Sequence, residues 1–224
     1  MCCQHVTDDF TFFCYTDNPH GLDDNIKTLK YVDQQLYPIV FNKLFILNNR
    51  HFKFSGQCFF FDLDIVIKNN IDEVIKQSSH TLTVLNASWK TPKHLLRPNA
   101  KILVRYYHTI NTSCMSWQAG ACDWVWQLFE KRKYYYLNKY NMGIDNFIFY
   151  QHIPFATFNT TTVCSYNSGH DYRYKPSNPL PDYRDTDHGI ILFNGNDEDK
   201  FRGMKKFYDK FYPSMSATIS SHIP

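Results

Sequence analysis

The stretch Phe59-Phe60-Phe61-Asp62-Leu63-Asp64-Ile65-Val66-Ile67 decides how the rest of the chain is read. It is apolar, rich in Phe, Ile and Val, and of strand length. It predicts a strand buried on both faces, of the kind found in the middle of a parallel sheet. Two carboxylates interrupt it. An unpaired buried carboxylate is strongly destabilising, so Asp62 and Asp64 are expected where the strand leaves the sheet. Residues i and i+2 of a strand share a face, which would aim both side chains the same way. Two carboxylates converging there suit a hard divalent cation and, through it, a phosphate-bearing ligand. An Asp-x-Asp triplet alone also occurs in exposed turns. The lead-in Cys58-Phe59-Phe60-Phe61 is what sets this one apart.

Upstream, 10–15 reads as a strand ending in the turn-rich Thr16-Asp17-Asn18-Pro19-His20-Gly21. Ligands of open α/β sheets sit beyond the carboxyl ends of strands, where Thr16 and Asp17 fall. A second strand is expected around 26–29. The apolar spacing in 38–47 predicts a helix with Lys43 on its less apolar side. Downstream, 70–76 reads as a short helix with acids in its first turn, and 81–85 and 102–109 read as strands. Asn111-Thr112-Ser113-Cys114-Met115-Ser116-Trp117 is a polar lead-in to another short strand, stopped near Gly120. Helices follow at 123–131 and 144–151, with a basic-aromatic run, Lys131 to Tyr136, read as a solvated helix end. The region from 153 is loop-rich, and 165–188 is too long for an ordinary connection. Gly189-Ile190-Ile191-Leu192-Phe193 is a buried strand ended by Asn194-Gly195, and a last amphipathic helix is expected over 201–211.

The chain of 224 residues suffices for one large domain, and no internal boundary or repeat shows, so 1–224 is read as a single domain. Aromatic residues reach 17%, with 19 Phe and 16 Tyr; together with frequent Asn and Lys this marks an AT-rich coding sequence, viral or bacterial, before it marks a function. Net charge is only +3 with signs interspersed, which disfavours a nucleic-acid partner. Seven cysteines without a Cys-x-x-Cys pair indicate neither zinc nor a disulfide framework, and a reducing cytoplasm is expected (the host's, if the source is viral). No run approaches the roughly 18 apolar residues of a membrane span, and no signal peptide is expected from the polar residues that open the sequence.

Taken in order, Phe13-Cys14-Tyr15-Thr16-Asp17-Asn18, Asn42-Lys43-Leu44-Phe45, Phe60 to Ile67 with Asn70-Ile71-Asp72, Asn111 to Trp117 with Gly120, Gly143-Ile144-Asp145-Asn146 and Ile190 to Gly195 resemble a GT-A fold glycosyltransferase carrying a DxD motif. The pattern is similar to the glycogenin/galactosyltransferase-like families and their phage and bacterial relatives. The resemblance covers roughly 6–200 and rests on order and spacing. It implies an α/β fold: a Rossmann-like mixed, mostly parallel sheet flanked by helices. The match starts at the family's second strand, so a sheet lacking the first strand is expected.

The resemblance also implies roles. Asp62 and Asp64 would hold Mn2+ or Mg2+ against the diphosphate of a nucleotide-sugar donor, expected to be a UDP-sugar, with Asp62 reaching the ribose. Thr16 and Asp17 would lie by the nucleoside, Lys43 by the phosphates or sugar, and Asn111 and Ser113 on the transferred sugar. Asp145 and Asn146 would be the catalytic pair, Asn146 replacing the family's usual Gln. Asn194 and Gly195 fall where a His-Gly normally stands. Asn194 would then be the third metal ligand, with His188, Asp197 or water as alternatives. The acceptor would be a hydroxyl on a glycan, a lipid-linked sugar or another molecule, with stereochemistry retained. Two other functions fit parts of the sequence. Phe59 to Val66 also resembles the nucleophile motif of haloacid-dehalogenase-like phosphatases, with Asp62 as nucleophile and Asp64 as acid/base. A non-catalytic relic of the GT-A fold would account for Asn194 and the unmatched first strand.

Overall fold

The computed structural model describes residues 5–30, 39–76, 81–87, 108–140, 143–158, 163–165, 189–193 and 197–211. In chain order the elements are β1 (Phe13–Thr16), β2 (Lys27–Lys30), α1 (Ile39–Asn42), a 3-10 turn (Phe45–Leu47), α2 (Asn49–Phe52), β3 (Gln57–Phe61), β4 (Ile65–Ile67), α3 (Asp72–Lys76), β5 (Leu82–Asn86), β6 (Ile110–Gln118), α4 (Asp123–Lys131), α5 (Lys133–Lys139), α6 (Ile144–Tyr150), β7 (Phe155–Thr157), β8 (Val163–Ser165), β9 (Ile190–Leu192) and α7 (Asp197–Phe211). The expected strand at 102–109 and loop at 165–188 lie mostly outside the described residues, as do His188, Asn194 and Gly195.

Side-chain alternation along the strands sorts the apolar residues into three clusters. One face of β4 and β9 turns Ile65, Ile67, Ile190 and Leu192 toward Leu85 and Cys114, with Phe59 and Phe61 packed alongside. The other face turns Val66 and Ile191 toward Phe207 and Tyr208 of α7. Leu82, Val84, Met115 and Trp117, from the opposite faces of β5 and β6, meet the helices through Val125, Phe129, Phe147 and Ile148. The order of layers is therefore α7, a three-stranded sheet (β4-β9-β8), a four-stranded sheet (β3-β6-β5-β7), then α4 to α6 with the 3-10 turn. β1 and β2 form a separate parallel pair. Ring contacts from Phe13 to Phe54 and from Tyr15 to Phe52 tie this pair to α2 and the residues after it. The mixed α/β architecture expected from the sequence is present. Antiparallel pairings join β3 to β6, β5 to β6 and β4 to β9, and parallel ones join β5 to β7 and β8 to β9.

The reading of 59–67 as one central strand is corrected. β3 is half-buried and lies at an edge of its sheet, antiparallel to β6; β4 is buried and belongs to the other sheet. Between them Asp62, Leu63 and Asp64 form a turn, with Leu63 95% exposed at its tip. Strand alternation therefore does not orient the two carboxylates; the change of sheet does.

The helix expected at 38–47 is also broken. Leu44 donates its N–H to Phe41 O and Leu47 to Leu44 O, three-residue bonds that tighten the chain. A spacing of three puts Phe41, Leu44 and Leu47, all fully buried, on one side and turns Lys43 away from them. α5 replaces the expected helix end, because Tyr136 finds a buried place between Phe129 and Phe147. Among the described residues no helix is long and apolar enough to cross a membrane.

Candidate functional site

The site is built where β3 ends beside an irregular stretch of β6. On the β3 side the register is unbroken up to Phe61 opposite Cys114, and Asp62 continues it by donating its N–H to Ser113 O at 2.8 Å. On the β5 side Val84 faces Met115 while the next residue, Leu85, faces Asn111. Thr112, Ser113 and Cys114 therefore have no partner in β5, and β6 bulges there. A bulge releases backbone N–H groups that must find other acceptors. Two residues singled out from the sequence supply them. Asn111 Oδ1 accepts the N–H of Ser113 at 2.9 Å. Asp145 Oδ1 accepts both the N–H and the hydroxyl of Thr112, at 3.0 and 2.5 Å. Asp145 reaches Thr112 from the first turn of α6, which Gly143 opens with a φ of 114°, a conformation that suits glycine.

Lys43 converges on the same point from the other side. Its Nζ donates to Asp62 Oδ2 at 3.0 Å and to Thr112 O at 3.3 Å, and lies 5.8 Å from the centre of the Phe60 ring. Both members of the pair are part-buried. Burial raises the pKa of Asp62 above the ordinary carboxylate value; the charge of Lys43 and hydrogen bonds from Lys43 and Ser113 oppose this, and the charge of Asp64 adds to it. The net direction is upward. Asp64 is fixed through its backbone, its carbonyl accepting the N–H of Phe193 at 2.8 Å just beyond β9.

Lys43, Asp62, Asn111, Ser113 and Asp145 are thus brought together, with Asp64 across the turn. Asn146, beside Asp145 in α6, is 2% exposed, and its Oδ1 has no hydrogen-bond partner among the described residues. Thr16 and Asp17 stand at the end of β1, outside both larger sheets. Thr16 Oγ1 makes local bonds, 3.1 Å each, with the N–H and carbonyl of Asn18, the geometry of a turn. Asn194, Gly195 and His188 lie outside the described residues, and Asp197 is the first residue of α7. Thr112 was missed by the sequence reading, although its backbone and hydroxyl connect Lys43 to Asp145; only its place between Asn111 and Ser113 hinted at it.

No protein-family model matches the chain, and no curated protein matches it. Solved structures do. The crystal structure of the galactosyltransferase LgtC in complex with donor and acceptor sugar analogs aligns with a TM-score of 0.51 at 11% identity, covering 93% of this chain and 80% of that one. The chain has the GT-A glycosyltransferase fold. A glycosyltransferase involved in the glycosylation of the major capsid of PBCV-1 also aligns, at a TM-score of 0.45 and 12% identity, over 80% of this chain and 82% of that one.

Within this fold the donor set of the turn fits a hard cation. Asp62 and Asp64 offer carboxylate oxygens, the ligands that Mg2+ and Mn2+ prefer. Among the described residues no group of three or more His, Cys, Asp or Glu is gathered as a metal cluster. Further ligands could be water or donor oxygens; Asn194, the third ligand that the resemblance implies, lies outside the described residues.

Proposed function

We propose that residues 1–224 act as one glycosyltransferase domain that moves a sugar from a nucleotide diphosphate donor, a UDP-sugar in the simplest case, to a hydroxyl acceptor. Metal dependence belongs to the proposal: Asp62 and Asp64 would hold Mn2+ or Mg2+. The observation that carries it is the part-buried Asp62, joined by Lys43, Ser113 and the charge of Asp64 at one end of β3 in a GT-A fold. LgtC, of the same fold, was solved with donor and acceptor sugar analogs, which supports a donor and an acceptor here.

In the reaction, the bond between the sugar's anomeric carbon and the diphosphate oxygen breaks, and a bond to the acceptor oxygen forms. The acceptor's proton passes to the departing diphosphate. Negative charge grows on the leaving group, and a cation held by Asp62 and Asp64 would supply Lewis-acid stabilisation of that charge. The chain's own residues position the reactants. Lys43 offers a second positive charge to the phosphates. Asn111 and Asp145 hold the bulge of β6 rigid, keeping Ser113 and Thr112 facing Asp62. Asn146 presents a carboxamide oxygen with no donor among the described residues, suited to accept a sugar hydroxyl.

The experiment is differential scanning fluorimetry with UDP, GDP and UDP-sugars, with and without Mn2+, followed by a UDP-release assay. The expected result is a metal-dependent rise in melting temperature with one nucleotide, since a ligand of the folded state stabilises it. Turnover should be lost in Asp64→Ala while the circular dichroism spectrum is kept. Unchanged turnover in that variant rejects the assignment. A folded protein without ligand response points to the non-catalytic relic, and hydrolysis of a generic phosphate ester that disappears in Asp62→Asn points to the phosphatase.

A further inference from the structure

The contact between Lys43 and Asp62 sets a condition on how the proposed site fills. Lys43 Nζ holds Asp62 Oδ2 at 3.0 Å and is fixed from behind by Thr112 O at 3.3 Å. The pair is part-buried, with the lysine side chain 19% exposed, and the ring of Phe60 flanks the ammonium. A divalent ion taken up by Asp62 and Asp64 would place a second positive centre beside that ammonium. Like charges at such a distance repel, and more strongly in a part-buried corner than in bulk water. A lysine ammonium is a compact point charge on a flexible stem, so it can leave without moving the backbone. A diphosphate supplies what would draw it off: several charged oxygens, each a strong acceptor of an N–H donor.

We propose that Lys43 is a resident counter-cation of Asp62 that a divalent metal must displace, and that the donor's diphosphate draws Lys43 away, so that metal and nucleotide are mutually dependent ligands. The inference rests on the reading of Asp62 and Asp64 as metal ligands. Metal alone then binds weakly to the wild-type protein. Coupling of this kind is reciprocal, so nucleotide alone also binds weakly. Lys43 acts in two positions: on Asp62 before the ligands arrive, and on phosphate afterwards.

The test is Mn2+ binding by electron paramagnetic resonance, which reads free metal directly and needs no turnover. Wild type, Lys43→Met and Lys43→Arg are titrated with Mn2+ alone, then with Mn2+ and UDP. Removing the charge should tighten binding of Mn2+ alone about five- to hundredfold, the usual span of coupling between two ligands. Lys43→Arg, which keeps the charge, should stay near wild type. With UDP present the order should reverse, Lys43→Met holding UDP less tightly. Lys43→Gln serves as a second neutral variant if Lys43→Met fails to fold. Equal affinity of wild type and the neutral variants for Mn2+ alone, or weaker binding by the variants, overturns the inference while UDP-dependent Mn2+ binding keeps the glycosyltransferase reading. No Mn2+ binding by any of the proteins, with or without UDP, overturns both.

Discussion

Asp62 is where burial, a neighbouring cation and a neighbouring anion act on one carboxylate, and burial is the largest influence. Asn146 is the second residue of this kind. Its buried amide oxygen has no hydrogen-bond partner among the described residues, which under the proposed function leaves it open to a ligand hydroxyl. Asn146→Leu keeps the shape of the side chain and removes that oxygen. The expected outcome is a fall in UDP-sugar turnover of about tenfold or more, the scale of one lost transition-state hydrogen bond. Stability measured by urea titration should stay within about 1 kcal/mol of wild type. A turnover equal to wild type would assign Asn146 to the core alone. At this scale the sequence was informative about which residues gather and less so about what they do. Asp62 and Lys43 were both singled out, yet their contact was not, because 19 positions separate them and only the tightened turn at Phe45–Leu47 aims one at the other. Asn111 and Asp145, which the resemblance places on the sugar, also hold backbone N–H groups of the bulge, which a side-chain type cannot announce.

Among the elements, the bulge of β6 determines the geometry of the site. A short strand after a polar lead-in, stopped by Gly120, was legible, but the full nine residues of β6 and the bulge within them were not. It arises from a mismatch with β5 across the sheet, and periodicity within one strand carries no record of its neighbour's register. Asp145 keeps the bulge satisfied from α6. Asp145→Ala would leave the N–H of buried Thr112 without its acceptor and should destabilise the protein by about 1–3 kcal/mol in urea titration. Asp145→Asn keeps an oxygen in place and should lose less than half of that. Equal losses in the two variants would mean that charge, not the hydrogen bond, matters there. The helices follow the same division. α4 was legible to its ends from Asp123 and its apolar spacing, whereas α5 reads as a solvated end because it buries a single side chain, Tyr136, and so shows no apolar stripe.

For the whole molecule, the aromatic content first attributed to an AT-rich coding sequence has a structural destination. Phe129 is fully buried at the meeting of α4, α5 and α6, with ring centres of Phe41, Phe147 and Trp126 at 5.3, 5.6 and 5.7 Å. Such clusters gain from both burial and ring geometry. Phe129→Ala should cost about 3–5 kcal/mol in chemical denaturation, the usual loss for a large aromatic removed from a core. A loss under about 1 kcal/mol would show that the helical layer is loosely packed. The mixed architecture was legible through the order of motifs that carries the resemblance. The division into two sheets was not, because the quoted run is continuous in hydrophobicity across the very residues where the chain passes from one sheet to the other. That passage has an evolutionary consequence. Asp62 is pinned to Ser113 in one sheet and Asp64 to Phe193 beside the other, so their separation reports how the two sheets sit on each other. Conservative drift at Ile65, Leu85 or Leu192, harmless to a scaffold, would alter that span; a lineage selected for turnover would therefore accept fewer interchanges in this inner layer than in the equally apolar layer beneath α7.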